Sequence, residues 1–173
     1  MIRSRLAGYF LLSCLILAGC SKSSTTPTSD QPVADTRIAS ASVVKVASQP
    51  VEIVTGNSAQ STIRLTIQSG YHINANPPTY SYLKATELDI PSSEGVSVAF
   101  ISYPDPITRQ LGFADKPIAV YEGEIPLKVM LKADKAAKKG ERSLPGKLRV
   151  QACDDQVCYP PGAVDLSIPV TIK

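Results

Sequence analysis

Past residue 40, apolar and polar residues alternate along most of this chain with a period of two, not the 3.6 of a helix. The stretch STIRLTIQ shows it best: Ile63, Leu65 and Ile67 share one face, and Thr62, Arg64 and Thr66 share the other. Such spacing predicts a strand with one side on a core and one in water. SVVKVAS, VEIVTG, YLKATELDI, VSVAFISY, IAVYEGEIPLKVML, GKLRVQAC and AVDLSIPVTIK repeat the pattern, with Gly, Pro, Asn and Asp between them. Some seven or eight strands on this plan predict an all-β fold, an immunoglobulin-like antiparallel β-sandwich. LKADKAAKKGER is the one helix-prone stretch, and it reads as a solvated connection of a turn or so between strands. No internal repeat is evident.

The first forty residues break the alternation. MIRSR is a short basic start, LAGYFLLSCLILAG is an apolar run, and LAGC ends it. The run is too short for a comfortable transmembrane helix, which needs about 20 apolar residues. Ala18 and Gly19 before Cys20 resemble the lipobox of bacterial lipoproteins. On that resemblance cleavage falls before Cys20, whose thiol becomes diacylglycerylated. Ser21 rather than Asp follows it, which by the usual sorting rule of Gram-negative bacteria favours the outer membrane. SKSSTTPTSDQPVADTRIAS then lacks apolar periodicity and reads as a disordered tether, spanning on the order of 25 Å as a flexible coil. The expected organisation is a lipoprotein signal peptide at 1–19, a lipidated N-terminus and linker at 20–40, and one β-sandwich domain at 41–173. The mature protein is expected in the periplasm, held to the membrane only through its lipid.

Composition narrows the picture. Hydrophobic residues make up 43% of the chain, enough for a core, while 14 prolines and 10 glycines favour many turns over a helical bundle. The formal charge is +3, and Arg3 and Arg5 fall in the segment expected to be removed. The remaining body is close to neutral and gives no electrostatic reason to expect nucleic acid. A monomer is expected.

The chemistry concentrates in QACDDQVCYPPG. Zinc needs about three or four protein ligands, and Cys153, Cys158 and the single His72 reach three only if a distant loop converges. No metal and no cofactor is therefore expected. A nucleophile-elbow motif is absent. The spacing C-x-x-x-x-C differs from the thioredoxin C-x-x-C, and the prolines after Tyr159 forbid a following helix. What remains is a disulfide, permanent or cycling. So small a ring restrains the unfolded chain little, about 2 kcal/mol or less, and the residues alone leave staple and reversible switch both open.

VQACDDQVCYPP, with GYHINANPP upstream, resembles the N-terminal periplasmic domain of the thiol:disulfide interchange protein DsbD over roughly residues 41–173. That resemblance implies an immunoglobulin-like fold with the redox cysteines on a hairpin. It implies a relay of reducing equivalents by protein thiol–disulfide interchange, with Cys158 forming the mixed disulfide and Cys153 resolving it. The alternative is a non-enzymatic interaction domain with a structural bridge. The spacing is one residue shorter than in the best-studied members, which bears on the hairpin geometry. Full-length members continue into a membrane domain and a thioredoxin-like domain, neither of which precedes Lys173. Separate thioredoxin-like or DsbD-type proteins are therefore expected as donor and acceptor. PDPITRQLGFADKP occupies the place of the family's cap loop, with Phe113 as the shielding aromatic and Tyr159 in support. Asp154 and Asp155 place negative charge beside the sulfurs, which disfavours thiolate. His72 and Asn74 read as structural residues of their loop.

Overall fold

The computed structural model describes residues 39–173. The segments expected as signal peptide (1–19) and, nearly all of it, as linker (20–40), with the expected lipidation site Cys20, lie outside the described residues. A 3-10 turn, Ser40–Val43, opens the fold. The strands that follow are β1 (Val44–Ser48), β2 (Val51–Ile53), β3 (Ser58–Ile67), β4 (His72–Asn74), β5 (Glu87–Asp89), β6 (Val96–Ser102), β7 (Ile107–Arg109), β8 (Ile118–Tyr121), β9 (Glu124–Ala133), β10 (Gly140–Val150), β11 (Ala152–Cys153) and β12 (Gly162–Ile172).

Two four-stranded sheets form the sandwich, in the orders β1-β3-β9-β6 and β2-β12-β10-β5. Alternation decides which residues they bury. In β3, Ile63, Leu65 and Ile67 are buried while Arg64 and Thr66 face water, and in β9 Leu127, Val129 and Leu131 repeat the pattern. Leu144, Leu148, Ile168 and Val170 of the second sheet join them in one apolar core. Each such side chain contributes about 1.5–3 kcal/mol by leaving water.

The sandwich is antiparallel throughout except where β2 runs parallel to β12, with Val51 opposite Val170. The reason lies in Gln49 and Pro50. The Gln49 amide still donates to the Thr62 carbonyl of β3, but proline has no N–H to continue the ladder, so the chain leaves the first sheet at Pro50 and rejoins at the edge of the second. LKADKAAKKGER forms no helix: after Ala133 it makes a turn closed by the Ala137 amide on the Asp134 carbonyl, then enters β10 at Gly140.

A third, smaller sheet, β11-β4-β8-β7, sits at one end. It is built largely from continuations of the large sheets. The run IAVYEGEIPLKVML is two strands, because Gly123, with φ +64°, turns the chain between β8 and β9. Positive φ costs glycine little and other residues more. GKLRVQAC is likewise two, broken at Gln151 between β10 and β11. Each break carries a strand out of the rigid sandwich into the small sheet and fixes the hairpin at its edge.

Candidate active site

QACDDQVCYPPG folds as a tight hairpin. Cys153 and Cys158 face each other as an isolated bridge pair, joined by a disulfide with their Cα atoms 3.9 Å apart. The Asp154 amide donates to the Val157 carbonyl at 2.9 Å, and the Tyr159 amide to Ala152 at 2.8 Å. Asp154 builds the turn: its Oδ1 accepts the amides of Gln156 and Val157, both at 2.8 Å. A short acidic side chain reaching back to its own backbone does this readily. Its other oxygen accepts the Tyr159 hydroxyl at 2.5 Å. That bond, and after it the Gln156 amide, holds the Asp154 carboxyl below the usual carboxylate range. The same bond pushes the Tyr159 phenol up to about 12. Asp154 is thus an engaged structural carboxylate, whereas the Asp155 side chain is exposed.

The two sulfurs differ in access. Cys153 is 0% exposed. Cys158 is partly exposed, on a shallow cleft of about 530 Å³ lined by Gln151, Val157, Tyr159 and Pro160. Its covered side packs on a small apolar cluster that includes Leu83, Leu111 and Ile118. Leu111 is 2% exposed, and the next residue, Gly112, donates its amide to the Asp155 carbonyl at 3.0 Å. A Cβ at Gly112 would stand 3.3 Å from that oxygen, so glycine suits this close approach. Phe113, the aromatic singled out from sequence, is 38% exposed and lies outside the cluster. Tyr159 does border the site; its ring packs against the main core, 6.0 Å from that of Tyr71.

Beneath the hairpin, β11 pairs with β4, with Cys153 opposite His72 and Ala152 opposite Ile73. All three residues of β4 are buried. Asn74 Nδ2 donates to the Lys84 carbonyl at 3.2 Å and to Gln151 Oε1 at 3.1 Å. These acceptors set the amide orientation and turn Oδ1 towards Cys153 Sγ, at 3.9 Å. Gln151 in turn takes the Lys84 amide at 2.8 Å and donates to the Tyr159 carbonyl at 3.2 Å. Ser40 ties the entry of the domain to the hairpin, accepting the Ala152 amide at 2.9 Å and donating to the Pro160 carbonyl at 2.6 Å. The folded unit therefore includes Ser40, which sequence alone assigned to the tether.

His72 is 3% exposed, and its Nε2 has no hydrogen-bond partner. It lines a polar cleft of about 760 Å³ with Arg109, Leu111, Gly112, Glu122 and Asp155 among its walls. Arg109 grips Glu122 with two hydrogen bonds, at 2.6 and 2.5 Å. Burial pulls the His72 pKa down, against the opposing charges of Glu122, Asp155 and Asp154. Among the described residues no group of three or more His, Cys, Asp and Glu is arranged to hold a metal ion.

Of the residues picked from sequence, Cys153, Cys158, Asp154, Asp155 and Tyr159 come together on one hairpin. Ser40, Leu111 and Gln151 escaped sequence reading. Each is an ordinary residue type whose role comes from a partner far along the chain.

The model of the family described as "Thiol:disulfide interchange protein DsbD, N-terminal" matches residues 40–168. No curated protein sequence matches the chain. Among solved structures, the N-terminal periplasmic domain of ScsB from Proteus mirabilis superposes with a TM-score of 0.52 at 17% identity, covering 74% of this chain and 46% of that one. The chain thus spans less than half of that structure's length. The Neisseria meningitidis DsbD N-terminal domain in its reduced form gives a TM-score of 0.45 at 16% identity, covering 68% and 82%.

Proposed function

Because this chain belongs to the family of DsbD N-terminal domains, we propose that it relays reducing equivalents between periplasmic protein partners by thiol–disulfide exchange through Cys153 and Cys158. Family membership and the bridged cysteine pair support thiol–disulfide exchange in general. The observation that carries the finer reading is the unequal access of the two sulfurs. Exchange needs a thiolate to approach along the line of the disulfide, so access sets the rate alongside pKa. An incoming thiolate meets Cys158 at the cleft and forms the mixed disulfide there. Cys153, fully covered, leaves as the second sulfur and later closes the bridge again. Leu111 does the covering on the far side of Cys158, the role that resemblance gives to Phe113. Donor and acceptor are thioredoxin-like or DsbD-type redox proteins, and the domain acts as a monomer.

A relay must survive its own reduction. Dithiothreitol is expected to reduce the bridge in the native protein and leave the sandwich folded at room temperature. The ring closed by the bridge is short, and its loss costs about 2 kcal/mol or less. Far-UV circular dichroism and thermal melts of both forms check this. Global unfolding on reduction alone would instead make the bridge a structural staple and sink the relay.

The anchor belongs to the same proposal. Cys20, as the first residue of the mature chain, carries lipid and tethers the domain to the membrane, with the outer membrane favoured by Ser21. Cys20→Ala is expected to release the protein from the membrane fraction, because the polar segment after it offers no other apolar anchor. Unchanged partitioning and an unchanged mass would remove the anchor without touching the redox reading.

A further inference from the structure

Closing the bridge requires Cys153 to give up a proton in a place where a thiolate is poorly supported. Its sulfur is buried and faces the carbonyl oxygen of Asn74. Burial and an adjacent acceptor both disfavour a charged sulfur. A base is needed next to it, and few groups qualify. Asn74 accepts a hydrogen bond but not a proton. Asp154 already takes two amides and a phenol. Glu122 is held by Arg109, and Asp155 is exposed.

His72 is placed differently. It stands directly opposite Cys153 in the β4–β11 register, and residues so paired project from the same face with Cβ atoms roughly 4.5–5.5 Å apart. Its Nε2 is buried and unpartnered, a condition that normally costs free energy and invites an explanation. The residue also borders the polar cleft, together with Glu122 and Asp155.

We propose that His72 is the base that takes the Cys153 thiol proton as this sulfur attacks the mixed disulfide held by Cys158. The inference rests on the exchange reading above. The step balances: the Cys153 S–H bond breaks, its proton passes to neutral His72, and the freed thiolate attacks Cys158 Sγ. The bond between Cys158 and the partner sulfur breaks as the Cys153–Cys158 bond forms. The partner leaves as thiolate, its sulfur reduced while Cys153 is oxidised, and His72 then releases its proton to solvent. The charged groups facing His72 are Glu122 after β8, Asp154 and Asp155 on the hairpin, and Arg109 at the end of β7. Burial outweighs the acids and keeps the imidazole neutral, hence able to accept a proton, at neutral pH.

The test follows the lifetime of a glutathione adduct on Cys158. Reduced protein is mixed with glutathione disulfide between about pH 5 and about pH 9, quenched with acid and weighed by mass spectrometry. In the wild type the closing rate should rise through the lowered pKa of His72 and then level off. His72→Gln should lose this plateau, close on the order of 10²-fold more slowly near neutral pH, and approach the wild type as the thiol ionises by itself. His72→Phe keeps a buried ring without a base and should behave as His72→Gln does, which covers the case in which the glutamine variant fails to fold. Matching pH profiles in wild type and variants, or a slowing that is equal at every pH, would overturn the role of His72. A wild-type protein whose bridge resists reduction while folded, or whose reduced thiols never form the adduct, would overturn the exchange reading itself.

Discussion

Cys153→Ser is expected to hold a glutathione adduct on Cys158 indefinitely, while Cys158→Ser should scarcely form one on Cys153. The two variants have the same single-thiol chemistry and differ in access. Cys158 is partly exposed beside the cleft, so its thiolate meets glutathione disulfide without rearrangement, and the serine at 153 cannot resolve the product. Cys153 is fully buried under the hairpin and against β4, so it reacts only when the hairpin opens. An opening that costs about 3 kcal/mol slows the reaction on the order of 10²-fold. Quenched mass spectrometry with peptide mapping reads both rates. Equal rates, or faster labelling at Cys153, would reverse the assignment of attacking and resolving sulfurs. The same Cys153→Ser variant, offered to a periplasmic extract, should retain its exchange partner on Cys158 for identification.

Leu111→Ala should produce the largest loss of stability at the site together with faster reduction. Leu111 is buried in the cluster that covers one side of Cys158. Truncating a buried leucine typically costs about 2–5 kcal/mol, depending on how far the cavity collapses. The same cavity removes atoms from the side of the disulfide, so dithiothreitol should reach native Cys158 sooner. Phe113→Ala is the informative comparison, because resemblance alone assigns the shield to Phe113. With more than a third of its surface already in water, Phe113 has less to lose, and its variant should change both the melting midpoint and the reduction rate only slightly. Chemical denaturation and the reduction rate well below the melting temperature separate the two quantities. Fast reduction of Phe113→Ala with Leu111→Ala unchanged would return the shielding role to the aromatic ring.

Much of the sandwich was legible because its strands are long. Ten residues of β3 or β9 contain several periods of the pleat, and each period repeats the same instruction about which face is buried. The strands of the small sheet contain two to four residues. β4 is buried on every position and β7 exposed on every position, so neither carries any alternation to read. Their existence depends on a partner, since a three-residue strand has no stability apart from the ladder it joins. GYHINANPP and PDPITRQLGFADKP accordingly read as loops, and the register that sets His72 against Cys153 was out of reach.

Fold class, the core faces of the long strands and the cysteine pair are legible in the chain itself. Those properties are local or periodic, and a short ring is dictated by spacing alone. Resemblance alone gave the two sulfurs different roles; the difference in access that gives those roles a physical basis arises only in the folded chain. Asn74, Gln151, Ser40 and Leu111 lie between 2 and 118 residues from the sulfurs they support, and only folding brings their side chains to the hairpin. Burial, too, is a property of the assembled sheets: Cys153 and Cys158 are chemically identical in the chain, and they become unequal because one faces β4 and the other a cleft.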